Sequence, residues 1–207
     1  MTKQKSNKKE KITIDKNFIL SSSYERYEYL LDYMAGTQGN YNKPGISDYP
    51  FYAYLSTLFN NTLILEIGTF QGGSACMLSH NESNKVISYD VVESLLGEID
   101  RDNIEFKIGN FMDDEIDYDK IDLITIDAAH DGNSEIEMVK YLENNWKGGI
   151  LFLDDIHNNS GGNMSGFWNS FDKKRHEVFD VSDIGHGYSL GSGFVNFNRY
   201  FEVNIIE

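Results

Sequence analysis

Cysteine occurs once, at Cys76, so the chain has no disulfide framework and no thiolate zinc cluster. Cys76 lies just inside an expected helix, where a small buried residue fits better than a nucleophile. Proline is confined to Pro44 and Pro50, which marks the Gly-, Asn- and Tyr-rich stretch from Gly36 to Pro50 as loop. Basic residues are scarce, with 18 Lys and Arg against 33 Asp and Glu and a net charge of −15. A surface that grips nucleic-acid phosphates needs the opposite balance, so a nucleic-acid partner is not expected. The one basic cluster, Lys3, Lys5, Lys8, Lys9 and Lys11, has no apolar periodicity and reads as a disordered tail over residues 1–14. No apolar run approaches the roughly 20 residues of a membrane span, and no signal-peptide core follows the start, which points to a soluble cytoplasmic protein.

What remains suits one packed α/β domain, residues 15–207, since 207 residues with 40% hydrophobic content are long for a core and short for two. Tyr24, Tyr27, Leu30, Leu31 and Met34 recur at helical spacing from Ser22 to Met34. With a short helix over Phe51 to Phe59 they form an expected helical cap at about residues 20–60. Strand-like and helix-like segments then alternate, the signal of βαβ units. The expected strands are Leu63 to Ile67, Lys85 to Asp90, Ile104 to Ile108, Ile121 to Asp127 and Ile150 to Asp154. Ile136, Val139, Leu142 and Trp146 mark the face of a helix ended by Gly148-Gly149. Val178 to Val181, Gly187 to Phe197 and Phe201 to Ile205 read as C-terminal strands.

The run from Leu63 to Ser74 is a buried strand that breaks into a glycine turn opening a helix. A dinucleotide-binding turn requires G-x-G-x-x-G, and Phe70 occupies the second glycine position, which disfavours an oxidoreductase. The acidic strand end Glu66, the Gly-Thr-Phe-x-Gly-Gly-Ser turn and the following helix resemble the first motif of class I S-adenosylmethionine (SAM)-dependent methyltransferases. Within them, the resemblance is to small-molecule O-methyltransferases of the catechol and caffeoyl-CoA type and the related sugar O-methyltransferases. It spans roughly Phe51 to Phe197. It implies a Rossmann-like fold, a mostly parallel seven-stranded sheet with an antiparallel C-terminal strand, and SAM as cofactor. In open α/β sheets, ligands sit beyond the carboxyl ends of the strands, which selects Glu66, Gly68 and Gly72, then Asp90 as a ribose acceptor or a plain turn residue. With the resemblance, the cofactor-binding set is Glu66, Gly68, Thr69, Phe70, Gly72, Ser74, Asp90, Asn110, Phe111 and Asp127.

Two further strand ends carry Asp127-Ala128-Ala129-His130 and Asp154-Asp155-Ile156-His157. Three carboxylates brought to neighbouring strand ends suit a hard divalent cation, Mg²⁺, Mn²⁺ or Ca²⁺, unless Asp154 or Asp155 caps the following segment. The metal-dependent catechol-type enzymes have acids at these places, matched here by Asp127, Asp154 and Asp155. Three residues after the first acid they place a lysine base where the sugar enzymes place histidine, and this chain has His130. An imidazole accepts a hydroxyl proton at neutral pH, so the implied catalytic residues are His130 and Asp127, with Mg²⁺ or Mn²⁺ assisting. His157 is open between outer ligand, substrate contact and loop residue. The polar insert Asn158 to Trp168 is a candidate lid, its Phe167 and Trp168, with Tyr188, either stacking on an acceptor or anchoring the loop. Histidine in the base position favours a sugar or glycan hydroxyl as acceptor over a catechol. A phenolic methyltransferase and a non-catalytic binding module of the same fold are the alternatives, and a homo-oligomer is open.

Overall fold

The computed structural model describes residues 9–21, 26–27, 48–95, 99–184 and 190–206. Seven strands form the main sheet in the order β4-β3-β2-β5-β6-β8-β7. The strands are β2 (Leu63–Ile67), β3 (Lys85–Asp90), β4 (Ile104–Ile108), β5 (Ile121–Ile126), β6 (Gly149–Asp154), β7 (Glu177–Asp180) and β8 (Ser192–Phe197). The first five pair in parallel, while β8 runs antiparallel to both β6 and β7. The expected fold class is the observed one, a Rossmann-like methyltransferase fold in which one strand opposes the other six.

Central strands read as unbroken apolar runs because both faces are covered; every residue of β6 and β8 is buried. Successive side chains alternate between two cores. On one side Ile64, Val86, Leu123, Ile150 and Phe152 meet Phe51 and Leu55 of α2 (Asp48–Ser56) and Cys76 and Met77 of α3 (Gly73–Leu78). On the other Leu65, Ile67, Ile124, Leu151 and Leu153 meet Val139 and Leu142 of α4 (Asn133–Asn145) and Phe167 of α5 (Met164–Asn169). Cys76 is fully buried, as packing requires, and burial pushes its thiol up to about 12.

Four expectations need revision. The tail expected over 1–14 does not include Lys11–Asp15, which form β1 and pair in parallel with β9 (Glu202–Ile206) as a separate two-stranded sheet. Ile12 and Ile14 are buried there, and the Tyr54 hydroxyl accepts from the Asp15 N–H at 3.0 Å and donates to the Thr13 carbonyl at 3.1 Å. α2 begins at Asp48, with Pro50 in its first turn where no intrahelical N–H is needed. α4 stops at Asn145, before Gly148-Gly149, since Trp146 turns extended and buries its indole, whose N–H donates to the Ile121 carbonyl at 2.9 Å. The insert after β6 is not all loop: its second half is α5, with Phe167 and Trp168 buried. Of the helix expected over 22–34 only residues 26–27 are described, and Tyr27 is buried edge-on to His80. The stretches 1–8, 22–25, 28–47, 96–98, 185–189 and residue 207 lie outside the described residues.

Candidate functional site

The turn after β2 is built on close backbone contact. The Gly68 N–H donates to the Tyr89 carbonyl at 2.8 Å and the Asp127 N–H to the Ile67 carbonyl at 2.9 Å, so the ends of β2, β3 and β5 are tied together. Gly68 has φ +103°, and a Cβ there would lie 1.8 Å from the Asp127 carbonyl oxygen. Phe70 follows with φ +43°, half exposed, its N–H donating to Asp90 Oδ2 at 2.8 Å. The other Asp90 oxygen accepts from the Val92 N–H at 3.0 Å. Asp90 therefore clamps the glycine turn to the end of β3. Gly72 and Gly73 serve packing instead: added Cβ atoms would meet Ile99 and Tyr49.

Glu66 is buried at the end of β2. It is 1% exposed, and its Oε2 accepts from the Ser88 hydroxyl, which in turn bonds Thr69 Oγ1 at 2.6 Å. This buried chain locks β2, β3 and the turn. Burial pushes the Glu66 carboxyl up to about 8, against the pull of the Ser74 and Ser88 hydroxyls. Folding therefore costs more as pH rises from the ordinary carboxylate range through about 8, because the native state holds a proton that the unfolded chain has released. Glu66→Gln should narrow the loss of thermal stability between pH 5 and pH 9 expected for the wild type; an equal loss in variant and wild type would refute it.

Beyond the turn lies a cavity of about 540 Å³, lined by residues that follow β2, β3, β4 and β5 and by α4. Of the expected site residues it brings together Gly68, Phe70, Asp90, Asn110, Phe111, Asp127 and His130. Glu66, Thr69, Gly72, Ser74, Asp154 and Asp155 are not on its wall. Asn110 accepts from the Met112 N–H at 3.1 Å, capping a short turn that holds Phe111 buried. Tyr89, Ser134 and Met138 join the lining without having been read from the sequence. Ser134 and Met138 stand four apart on α4, on the flank beside its core face, which is the pattern that marks them.

The His130 ring stands between two acids: Nε2 is 3.2 Å from Asp127 Oδ1, and Nδ1 is 3.5 Å from Asp155 Oδ2. The hydrogen bond to Asp127 raises its pKa above the ordinary histidine value, against burial, with Asp155 and Asp154 adding to the rise. His130 and Asp155 both have left-handed backbones, φ +54° and +57°, a conformation that L-residues adopt only at a cost. Asp155 also accepts from Asn158 at 2.9 Å, and Asp154 Oδ1 accepts from Ser192 at 3.3 Å. The three aspartates thus reach neighbouring strand ends without converging: an imidazole fills the gap between two of them and the third is held to β8. Among the described residues no group of three or more His, Cys, Asp or Glu side chains is disposed to hold a metal ion. The donors do not fit the cation that the resemblance implies. His157 is bonded to Asp180 at 2.8 Å, and Trp168 packs where a Cβ on Gly193 would intrude. Both are anchors of the fold; Tyr188 lies outside the described residues.

No protein-family model matches the chain, and no curated protein is similar to it in sequence. Solved structures are similar in fold. An O-methyltransferase from Bacillus cereus in complex with SAH (S-adenosylhomocysteine) superposes with a TM-score of 0.63 at 19% identity, over 87% of this chain and 94% of that one. An SAH-bound methyltransferase from Podospora anserina gives 0.64 at 14% identity, over 87% and 92%. The SAM-bound O-methyltransferase TomG from Streptomyces achromogenes gives 0.62 at 14%, over 87% and 94%. At these identities the likeness places the chain in the fold shared by class I SAM-dependent methyltransferases.

Proposed function

We propose that this chain is a SAM-dependent O-methyltransferase acting on a hydroxyl of a small molecule, with His130 as general base. The observation that carries the reading is the single cavity wall that brings the Gly68 turn and Asp90 together with Asp127 and His130. Its apolar lining, Phe70, Tyr89, Phe111 and Met138, suits a flat heterocycle, and Asp90 stands where a ribose hydroxyl would be accepted. SAM and SAH in the similar structures support the choice of cofactor.

Bound SAM supplies an electrophilic methyl group on a sulfonium. The chain's part is to hold the acceptor in line and remove its proton. Asp127, 3.2 Å from Nε2, holds the His130 ring in the way that an acid orients a catalytic imidazole. As the ring takes the acceptor proton, Asp127 and Asp155 stabilise the imidazolium that forms. No step passes through a divalent cation. Histidine at this place favours a sugar or glycan hydroxyl over a catechol, while the buried Phe167 and Trp168 add nothing to that choice.

Calorimetry with SAH, followed by transfer of labelled methyl from SAM to a panel of sugars and diphenols with and without EDTA, tests the proposal. Binding of SAH and EDTA-resistant transfer to a hydroxyl are expected. No SAH binding would remove the enzyme reading, and activity lost to EDTA and restored by Mg²⁺ would put a metal back among the three aspartates.

A further inference from the structure

Glu135 lies in the first turn of α4, where a glutamate ordinarily faces solvent, yet it is 1% exposed. Its Oε1 accepts from the His130 N–H at 2.7 Å and its Oε2 from the Gly132 N–H at 2.8 Å. The first turn of α4 already has a cap in Asp131, which accepts from the Asn133 and Ser134 N–H groups at 2.7 Å each. Both Glu135 oxygens are therefore spent on the loop that precedes the helix. Burying a carboxylate is costly unless strong donors satisfy it, and here the donors flank the left-handed turn at His130. A backbone in that region persists only where its surroundings over-determine it.

We propose that Glu135 is a positioning residue for the transfer reaction: its carboxylate holds the His130 backbone in the left-handed conformation that sets the imidazole between Asp127 and Asp155. This rests on the reading of His130 as base. Glu135 is 5 residues along from His130 and bonds its peptide N–H, so it acts on the orientation of the ring and not on the acceptor. Glu135→Gln keeps the size of the side chain but replaces one acceptor by a donor, which cannot receive the second N–H.

The test is the ring titration of His130 by NMR on the full chain, its signal among the five histidines assigned by its loss in His130→Ala. The groups facing the ring are Asp127, Asp155 and Asp154. In the wild type the midpoint should lie above the ordinary histidine value. In Glu135→Gln it should fall toward that value as the ring leaves the two carboxylates, with SAH still bound in calorimetry. Turnover on any acceptor that depends on His130 should drop about 10²-fold, the penalty of a misplacement of about 1 Å. If Glu135→Gln fails to bind SAH, Glu135→Asp, which keeps the charge but withdraws it by one methylene, takes its place with the same expected shift. A raised midpoint unmoved by either variant overturns the role of Glu135 and leaves His130 as base. A midpoint that is ordinary in the wild type instead sinks the carboxylate-bracketed base itself.

Discussion

Gly68→Ala is expected to lower stability by about 2–5 kcal/mol and to abolish SAH binding. The residue combines two demands that only glycine meets. Its φ of +103° lies outside the regions open to L-residues, which alone costs alanine about 1–2 kcal/mol. The new methyl group would also stand 1.8 Å from the Asp127 carbonyl oxygen and 2.6 Å from its carbon. Those are backbone atoms at the end of β5, tied to Ile67 by a hydrogen bond, so relief requires the two strands to part. Forced repacking of that kind costs about 1–3 kcal/mol more. For a chain of this size each kcal/mol is worth about 2–4 °C in Tm, and the two strand ends that separate are the floor of the cavity. Gly72→Ala is the control. It too has a positive φ, but the added Cβ would meet the tips of Ile99 and Leu95, which can move. It should cost less and leave SAH binding in place; equal melting of the two variants, or a larger loss at Gly72, would overturn the argument.

The same pair of glycines indicates how far the site was legible in the sequence. Leu63 to Ser74 located the turn because a strand buried on both faces reads as an apolar run and a glycine cluster ends it. It did not tell which glycine lines the cavity and which meets Ile99 or Tyr49, since that depends on side chains elsewhere in the chain. Glu66 shows the same limit: its acid marks the strand end, but its partner is Ser88 on the neighbouring strand, and that contact makes it a lock between the strands. β1 was illegible for a further reason. Lys11 to Asp15 has charged ends and follows a lysine cluster, and what orders it is β9, some 190 residues away. His130 was legible because its spacing from Asp127 is local. The bracket formed by Asp155 was not, because it arises from the adjacency of β5 and β6 and from two left-handed residues that no composition signals. The metal expectation finds no support at that point: strand order placed three acids side by side, and only the side-chain geometry reveals an imidazole between two of them.

His130→Ala is expected to reduce methyl transfer by about 10²–10⁴-fold, the usual contribution of a positioned general base, while SAH binding is retained, because the Gly68 turn and Asp90 stay on the cavity wall. The pH dependence gives this prediction its sign. A base works only when neutral, and the Asp127 carboxylate holds the His130 pKa above the ordinary histidine value. Wild-type turnover should therefore rise with pH along an acid limb displaced to the alkaline side of that value. Asp127→Asn removes the first cause of the displacement, so the limb should move to lower pH even as the maximal rate falls. Stability runs the other way. A histidine whose pKa is raised on folding stabilises the native state below its unfolded value, and that contribution is lost as pH rises through the folded value. His130→Ala should thus lower Tm relative to wild type more at pH 5.5 than at pH 9. Two measurements separate the roles of the residue: a rate unaffected by the substitution would refute the base, whereas a rate that falls with equal Tm losses at both pH values would keep the base but remove the carboxylates as the source of its shifted pKa.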